Sequence, residues 1–154
     1  MTDMQDSLRE LYQEVIFDHN RNPRNYRPLP AASHHADGHN PLCGDQLTVY
    51  LQVEDGIVRD ASFVGHGCAI STASASLMTE AVKGKPVEEV EALFRDVHAL
   101  LTEGREAADP GRDFGKLEVL SGVKEFPARV KCATLAWHTL HNALVGEHET
   151  AHTE

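Results

Sequence analysis

Three cysteines are the residues of this chain best equipped for chemistry: Cys43 in a Pro-x-Cys-Gly-Asp stretch, Cys68 in Gly-His-Gly-Cys, and Cys132 in Val-Lys-Cys. Ionised thiols bind soft metals and attack sulfur. An odd number of cysteines in a chain expected in the reducing cytoplasm argues against a disulfide framework. A free cysteine taken alone is most often a small buried hydrophobe, but Cys43 and Cys68 lie in glycine-flanked loop contexts that suit core packing poorly. Asp45 follows Cys43 by two positions, so its carboxylate reaches any metal that Cys43 binds. Three thiolates and one carboxylate make a four-coordinate set that suits zinc or, equally, an iron–sulfur cluster. His66, two residues before Cys68, competes with Asp45 for the fourth position, although a histidine at a strand end is commonly a surface group. Arg129 and Lys131 flank Cys132 and would offset the negative charge of such a site. The "HHADGH" stretch and the histidines of the C-terminal tail read as solvated segments.

These residues need elements to bring them together. Leu8, Leu11, Tyr12, Val15 and Ile16 recur at helical spacing, and "NRNPRNYRPLP" then breaks the pattern into a long loop. Leu47, Val49, Leu51 and Val53 alternate as a strand, "EDG" signals a tight turn, and residues 57–64 return antiparallel. The predicted hairpin therefore carries Cys43 and Cys68 just outside its two open ends, which are neighbours in space. Ile70, Ala73, Leu77 and Ala81 predict a helix ending at "KGKP", and Val87, Val90, Leu93, Phe94, Val97 and Leu101 predict another. Residues 102–122 read as a glycine-rich, charged excursion with one short helical turn at 117–120. Pro127 opens a last helix through Val130, Ala133, Trp137, Leu140 and Leu144, followed by a polar tail at 146–154. Cys68 and Cys132 are thus both expected near helix N-termini, where unpaired N–H groups favour thiolate.

The order of helix, strands and then helices implies an α+β class: a small antiparallel sheet with helices packed on one face. With 154 residues and 41% hydrophobic content, the expectation is a single domain over 1–154 with its core at about 8–144. Fourteen Lys and Arg against twenty-four Asp and Glu, a net charge of −10, argue against nucleic-acid binding. No apolar run approaches the length of a membrane span, and "MTDMQDSLRE" lacks the basic start and apolar centre of a signal peptide. A cytoplasmic protein is expected.

Four stretches, "LYQEVIFDHNRNPRNY", "NPLCGD", "GHGCAISTASASLMTEAVKGK" and "GVKEFPARVKCATLAWHTL", resemble the SufU branch of the IscU-like, NifU N-terminal-like family of iron–sulfur assembly proteins. The resemblance spans residues 8–144. It implies the family's small antiparallel sheet with packed helices, and a metal site at Cys43, Asp45, Cys68 and Cys132. Scaffold proteins of the IscU type carry His immediately before the third cysteine, where this chain has Lys131, and they lack an excursion like the one at 102–122. Both features are those of SufU. The resemblance therefore implies a zinc-dependent sulfurtransferase that accepts persulfide sulfur from a SufS-type cysteine desulfurase and passes it to a downstream iron–sulfur assembly scaffold. Cys43 would be the acceptor, Cys68 and Cys132 would hold the metal, and Arg129 would neutralise the site or help dock the partner. An IscU-type cluster scaffold is the alternative.

Overall fold

The computed structural model describes residues 4–41, 44–104, 108–146 and 151–152. Helix α1 (Met4–Arg21) leads through an irregular stretch to three antiparallel strands, β1 (His34–Asn40), β2 (Asp45–Glu54) and β3 (Ile57–His66). Helices α2 (Ala69–Val82) and α3 (Val87–Thr102) follow, then a 3₁₀ helix (Gly115–Glu125), α4 (Pro127–Val145) and the two-residue strand β4 (Ala151–His152). The sheet order is β3-β2-β1-β4, and β4 alone runs parallel to its neighbour, pairing with Gly38 and His39. The expected antiparallel α+β architecture is thus present, with a short parallel edge added by the segment read as a tail.

The β2–β3 hairpin forms where the Asp-Gly signal places it. Asp55 and Gly56 both take positive φ, 55° and 74°, the mirror-image turn whose twist matches that of the flanking strands. Val49, Leu51, Ala61 and Phe63 turn one sheet face into the core, and that face is covered by α4 and α2. Helix α3 contributes Val90, Leu93, Val97, Leu100 and Leu101 to the same cluster.

Two segments differ from the sequence expectation. The "HHADGH" stretch is not a solvated loop but strand β1, paired with β2 from His34↔Leu51 to Asn40↔Asp45. Its inward residues are Ala36, Gly38 and Asn40, and they are small because α4 lies against them. A Cβ on Gly38 would come within 2.1 Å of Thr139 Oγ1. The 102–122 excursion is also more ordered than one short turn. Its 3₁₀ helix runs for 11 residues and buries Leu117, Val119, Leu120 and Val123. Arg112 ties the preceding segment to α3 through Asp96 (2.7 Å) and Glu89. Residues 105–107, and the side chains of Leu8, Leu11 and Tyr12, lie outside the description.

Candidate metal centre

Asp45 opens β2, Cys68 precedes α2, and Cys132 lies in α4, so three separate elements converge at one end of the sheet. One ligand atom from each of Asp45, Cys68 and Cys132 lies within 4.8 Å of the others, the only such group of His, Cys, Asp or Glu among the described residues. Cys43 lies outside the described residues. It belongs to the short connection between Asn40 and Asp45, which pair with each other across β1 and β2, and the chain itself keeps it two residues from Asp45.

Each side chain is held by local structure. Asp45 is fully buried, and its Oδ1 accepts the Cys68 backbone N–H at 2.8 Å while Oδ2 stands 4.0 Å from Cys68 Sγ. A buried carboxylate costs several kcal/mol of desolvation unless it is hydrogen-bonded and faces a counter-charge. The backbone bond supplies the first of these, and a cation among the thiols would supply the second. Gly67 makes the arrangement sterically possible, since a Cβ there would fall 2.5 Å from Asp45 Oδ1. Cys68 is the N-cap of α2, with extended φ/ψ of −71° and 168°, and its sulfur accepts the Ser71 N–H at 3.4 Å.

Cys132 differs from the expectation. Helix α4 begins at Pro127, which places Cys132 beyond the first turn, where the backbone N–H groups are already paired within the helix. It is buried, and its sulfur instead receives the Asn40 side-chain amide at 3.8 Å.

Asn40 and Gly67 are the site residues that sequence reasoning overlooked. Asn40 lies in β1, which no hydrophobic alternation announces, and Gly67 reads in the sequence only as loop context. His66 is exposed at the end of β3, opposite Gln46, and does not join the Asp45–Cys68–Cys132 group. Arg129 is exposed in the first turn of α4, its guanidinium 4.5 Å above the Phe126 ring, and Lys131 is half-buried beside Cys132.

Comparison with known proteins places this geometry in context. The model of the NifU-like N-terminal domain matches residues 11–145. The chain is 43% identical over 141 residues to a Bacillus subtilis protein named zinc-dependent sulfurtransferase SufU, covering 92% of this chain and 94% of that protein. It is also 43% identical over 137 residues to a Thermotoga maritima protein named iron–sulfur cluster assembly scaffold protein IscU, covering 87% and 92%. A crystal structure from Fervidobacterium islandicum, described as a candidate iron–sulfur cluster assembly scaffold protein for the SUF system, superposes with a TM-score of 0.75 at 31% identity, over 88% of this chain and 97% of that one. With a sheet that gathers two cysteines and a buried aspartate at one end, and a family match running through nearly all of its helices and strands, this chain belongs to the NifU-like N-terminal domain family of SufU- and IscU-like proteins.

Proposed function

We propose that the chain is a zinc-dependent sulfurtransferase that accepts persulfide sulfur from a SufS-type cysteine desulfurase for iron–sulfur cluster assembly. The observation that carries this reading is the convergence of Asp45, Cys68 and Cys132 within 4.8 Å, in a chain that carries Cys43 two residues before Asp45. The donor set fits zinc: sulfur from Cys43, Cys68 and Cys132, and one oxygen from a fully buried carboxylate. Zinc, when bound, stabilises the thiolate form of its cysteine ligands.

The chain's own residues divide the work. Cys68 and Cys132 are fixed by a helix cap and by burial in α4, so they suit retention of the metal. The Cys43 thiolate is the nucleophile. It attacks the outer sulfur of the desulfurase persulfide, forming a new S–S bond while the old one breaks, and the desulfurase cysteine leaves as thiolate. No net oxidation or reduction occurs. Asp45, the first residue of β2, positions Cys68 through the backbone bond. As the hardest donor among soft thiolates, it is the ligand suited to release when the partner docks. Lys131, the chain neighbour of Cys132, and Arg129, in the first turn of α4, supply positive charge for neutralisation or docking. The downstream recipient is an iron–sulfur assembly scaffold, and the setting is the cytoplasm. Among the described residues, no helix is long and apolar enough to cross a membrane.

The deciding experiment is cysteine desulfurase turnover with and without this protein, with its metal content measured on the same sample. Increased turnover, with persulfide located on Cys43 by mass spectrometry and lost in Cys43→Ala, is expected. Unchanged turnover with a zinc-loaded protein overturns the reading. The second reading, a cluster scaffold, is favoured by the Thermotoga relative at equal identity. Anaerobic reconstitution to a stable, transferable cluster at full occupancy would select it, and Lys131 in place of histidine before Cys132 speaks for sulfur transfer.

A further inference from the structure

Cys68 and Cys132 each meet an N–H donor, and the two donors come from different sources. Cys68 receives the Ser71 backbone N–H at 3.4 Å because it caps α2. Cys132 lies beyond the first turn of α4, where the backbone N–H groups are engaged within the helix. A side chain serves it instead: Asn40 Nδ2 stands 3.8 Å from Cys132 Sγ. Asn40 is fully buried, and the other inward residues of β1 are Ala36 and Gly38. The tight contact with α4 explains why these side chains are small. It gives no reason for a carboxamide, whose burial costs free energy unless its N–H groups find acceptors. An ionised sulfur can only accept, so it takes the Nδ2 end of the amide and not the Oδ1 end.

We propose that Asn40 is a positioning residue that holds Cys132 as a metal ligand and suppresses its attack on sulfur. This rests on the three-thiolate centre proposed above, and it supplies a reason why Cys132 stays with the metal while a chemically identical thiol reacts. An N–H bond draws charge from a thiolate, and intrinsic nucleophilicity falls with sulfur basicity along a Brønsted slope of about 0.4–0.5. On that slope a basicity lower by about ten- to hundredfold slows attack by roughly three- to tenfold. The same bond fixes where the sulfur lies. Asn40 pairs with Asp45 across β1 and β2, so its amide ties the Cys132 thiol of α4 to the strand end that carries the buried carboxylate. Outer partners that orient a metal ligand in this way are worth about 10–100-fold in metal affinity. Asn40 acts wholly through Cys132.

The test uses the full chain and no desulfurase. In the wild-type chain loaded with ¹¹³Cd²⁺, NMR should show the Asn40 Nδ2 protons coupled to the metal through the N–H···S contact, and absence of that coupling overturns the proposal. With Co²⁺ as the probe, Asn40→Ala should keep the d–d bands of a four-coordinate centre while its sulfur-to-cobalt charge-transfer band moves to lower energy, because a sulfur without its donor holds its electrons less tightly. A band that does not move overturns the proposal, and a merely structural role for Asn40 would leave it in place. Zinc affinity of Asn40→Ala should fall about tenfold or more. Alkylation of the zinc-loaded chain by iodoacetamide, mapped by mass spectrometry, should rise at Cys132 by roughly three- to tenfold relative to Cys68; an unchanged ratio again refutes the role. The wild-type NMR measurement stands even if Asn40→Ala fails to fold. A chain that shows the coupling but leaves desulfurase turnover unchanged refutes sulfur transfer alone, and the reverse pair of results refutes the Asn40 contact alone.

Discussion

Replacing Gly67 with alanine should disable the cysteine centre while leaving the fold in place. Gly67 is exposed and does not take positive φ, so the backbone tolerates a side chain. The new Cβ, however, would lie 2.5 Å from Asp45 Oδ1, 3.0 Å from Cγ and 3.2 Å from Asp45 Cβ. Ordinary contact requires the carboxylate to retreat by roughly 0.5–1 Å. That oxygen accepts the Cys68 N–H at 2.8 Å, and the retreat takes the bond beyond hydrogen-bonding distance. Asp45 is fully buried and has no solvent to turn toward. A lost hydrogen bond to a charged group costs about 1.5–3 kcal/mol, or roughly 3–12 °C in Tm for a domain of this size. Zinc affinity should fall about tenfold or more, because a ligand has moved. Thermal melting and competition with a chromophoric chelator measure the two effects. Gly111→Ala, whose Cβ would meet only Asp109 Oδ1 at 3.5 Å, serves as the neutral control. A Gly67→Ala protein with wild-type Tm and wild-type zinc affinity would refute the argument that this glycine exists to admit the Asp45 carboxylate.

Three further outcomes are expected. Removing the metal with a chelator should lower Tm, because the site joins β2, α2 and α4 and its binding free energy is folding free energy; identical melting of the loaded and stripped forms would show the centre to be uncoupled from the fold. His19 is buried, with Nδ1 2.7 Å from Ser76 Oγ, and burial outweighs the attraction of Glu80 to hold its pKa below the ordinary value. The unfolded chain therefore takes up protons first, so stability is full above about pH 6.5 and falls as the pH drops toward the depressed value. His138 adds to the slope in the same direction; urea titrations from pH 7 to 5 should show the decline, and an equal decline in His19→Gln would contradict the assignment. Ser74→Ala should cost about 1–3 kcal/mol by urea unfolding, because the buried hydroxyl donates to Ala133 O at 2.6 Å and accepts Trp137 Nε1–H at 3.2 Å, and its loss strands both partners. A change within a few tenths of a kcal/mol would mean that the two groups find other partners.

Much of this protein is determined locally and was therefore legible in its sequence. The β2–β3 hairpin follows from the alternation of Leu47, Val49 and Leu51 and from an Asp-Gly turn that only a few residue types can form. Helix α3 follows from its apolar stripe, and Cys68 as a helix cap from the glycines before it and the alanine-rich run after it. What the tertiary structure decided depends on neighbours distant in the chain. Strand β1 carries no hydrophobic alternation, because α4 packs so closely on its inner face that only Ala36, Gly38 and Asn40 fit, and close approach removes the very pattern that announces a strand. The meeting of Cys132 with the Asn40 amide follows from that contact. So does the meeting of Asp45 with Cys68 and Cys132, since sequence supplies donors of the right kind, whereas the distances among them are set by how a helix, a strand end and a capped turn pack around one buried carboxylate.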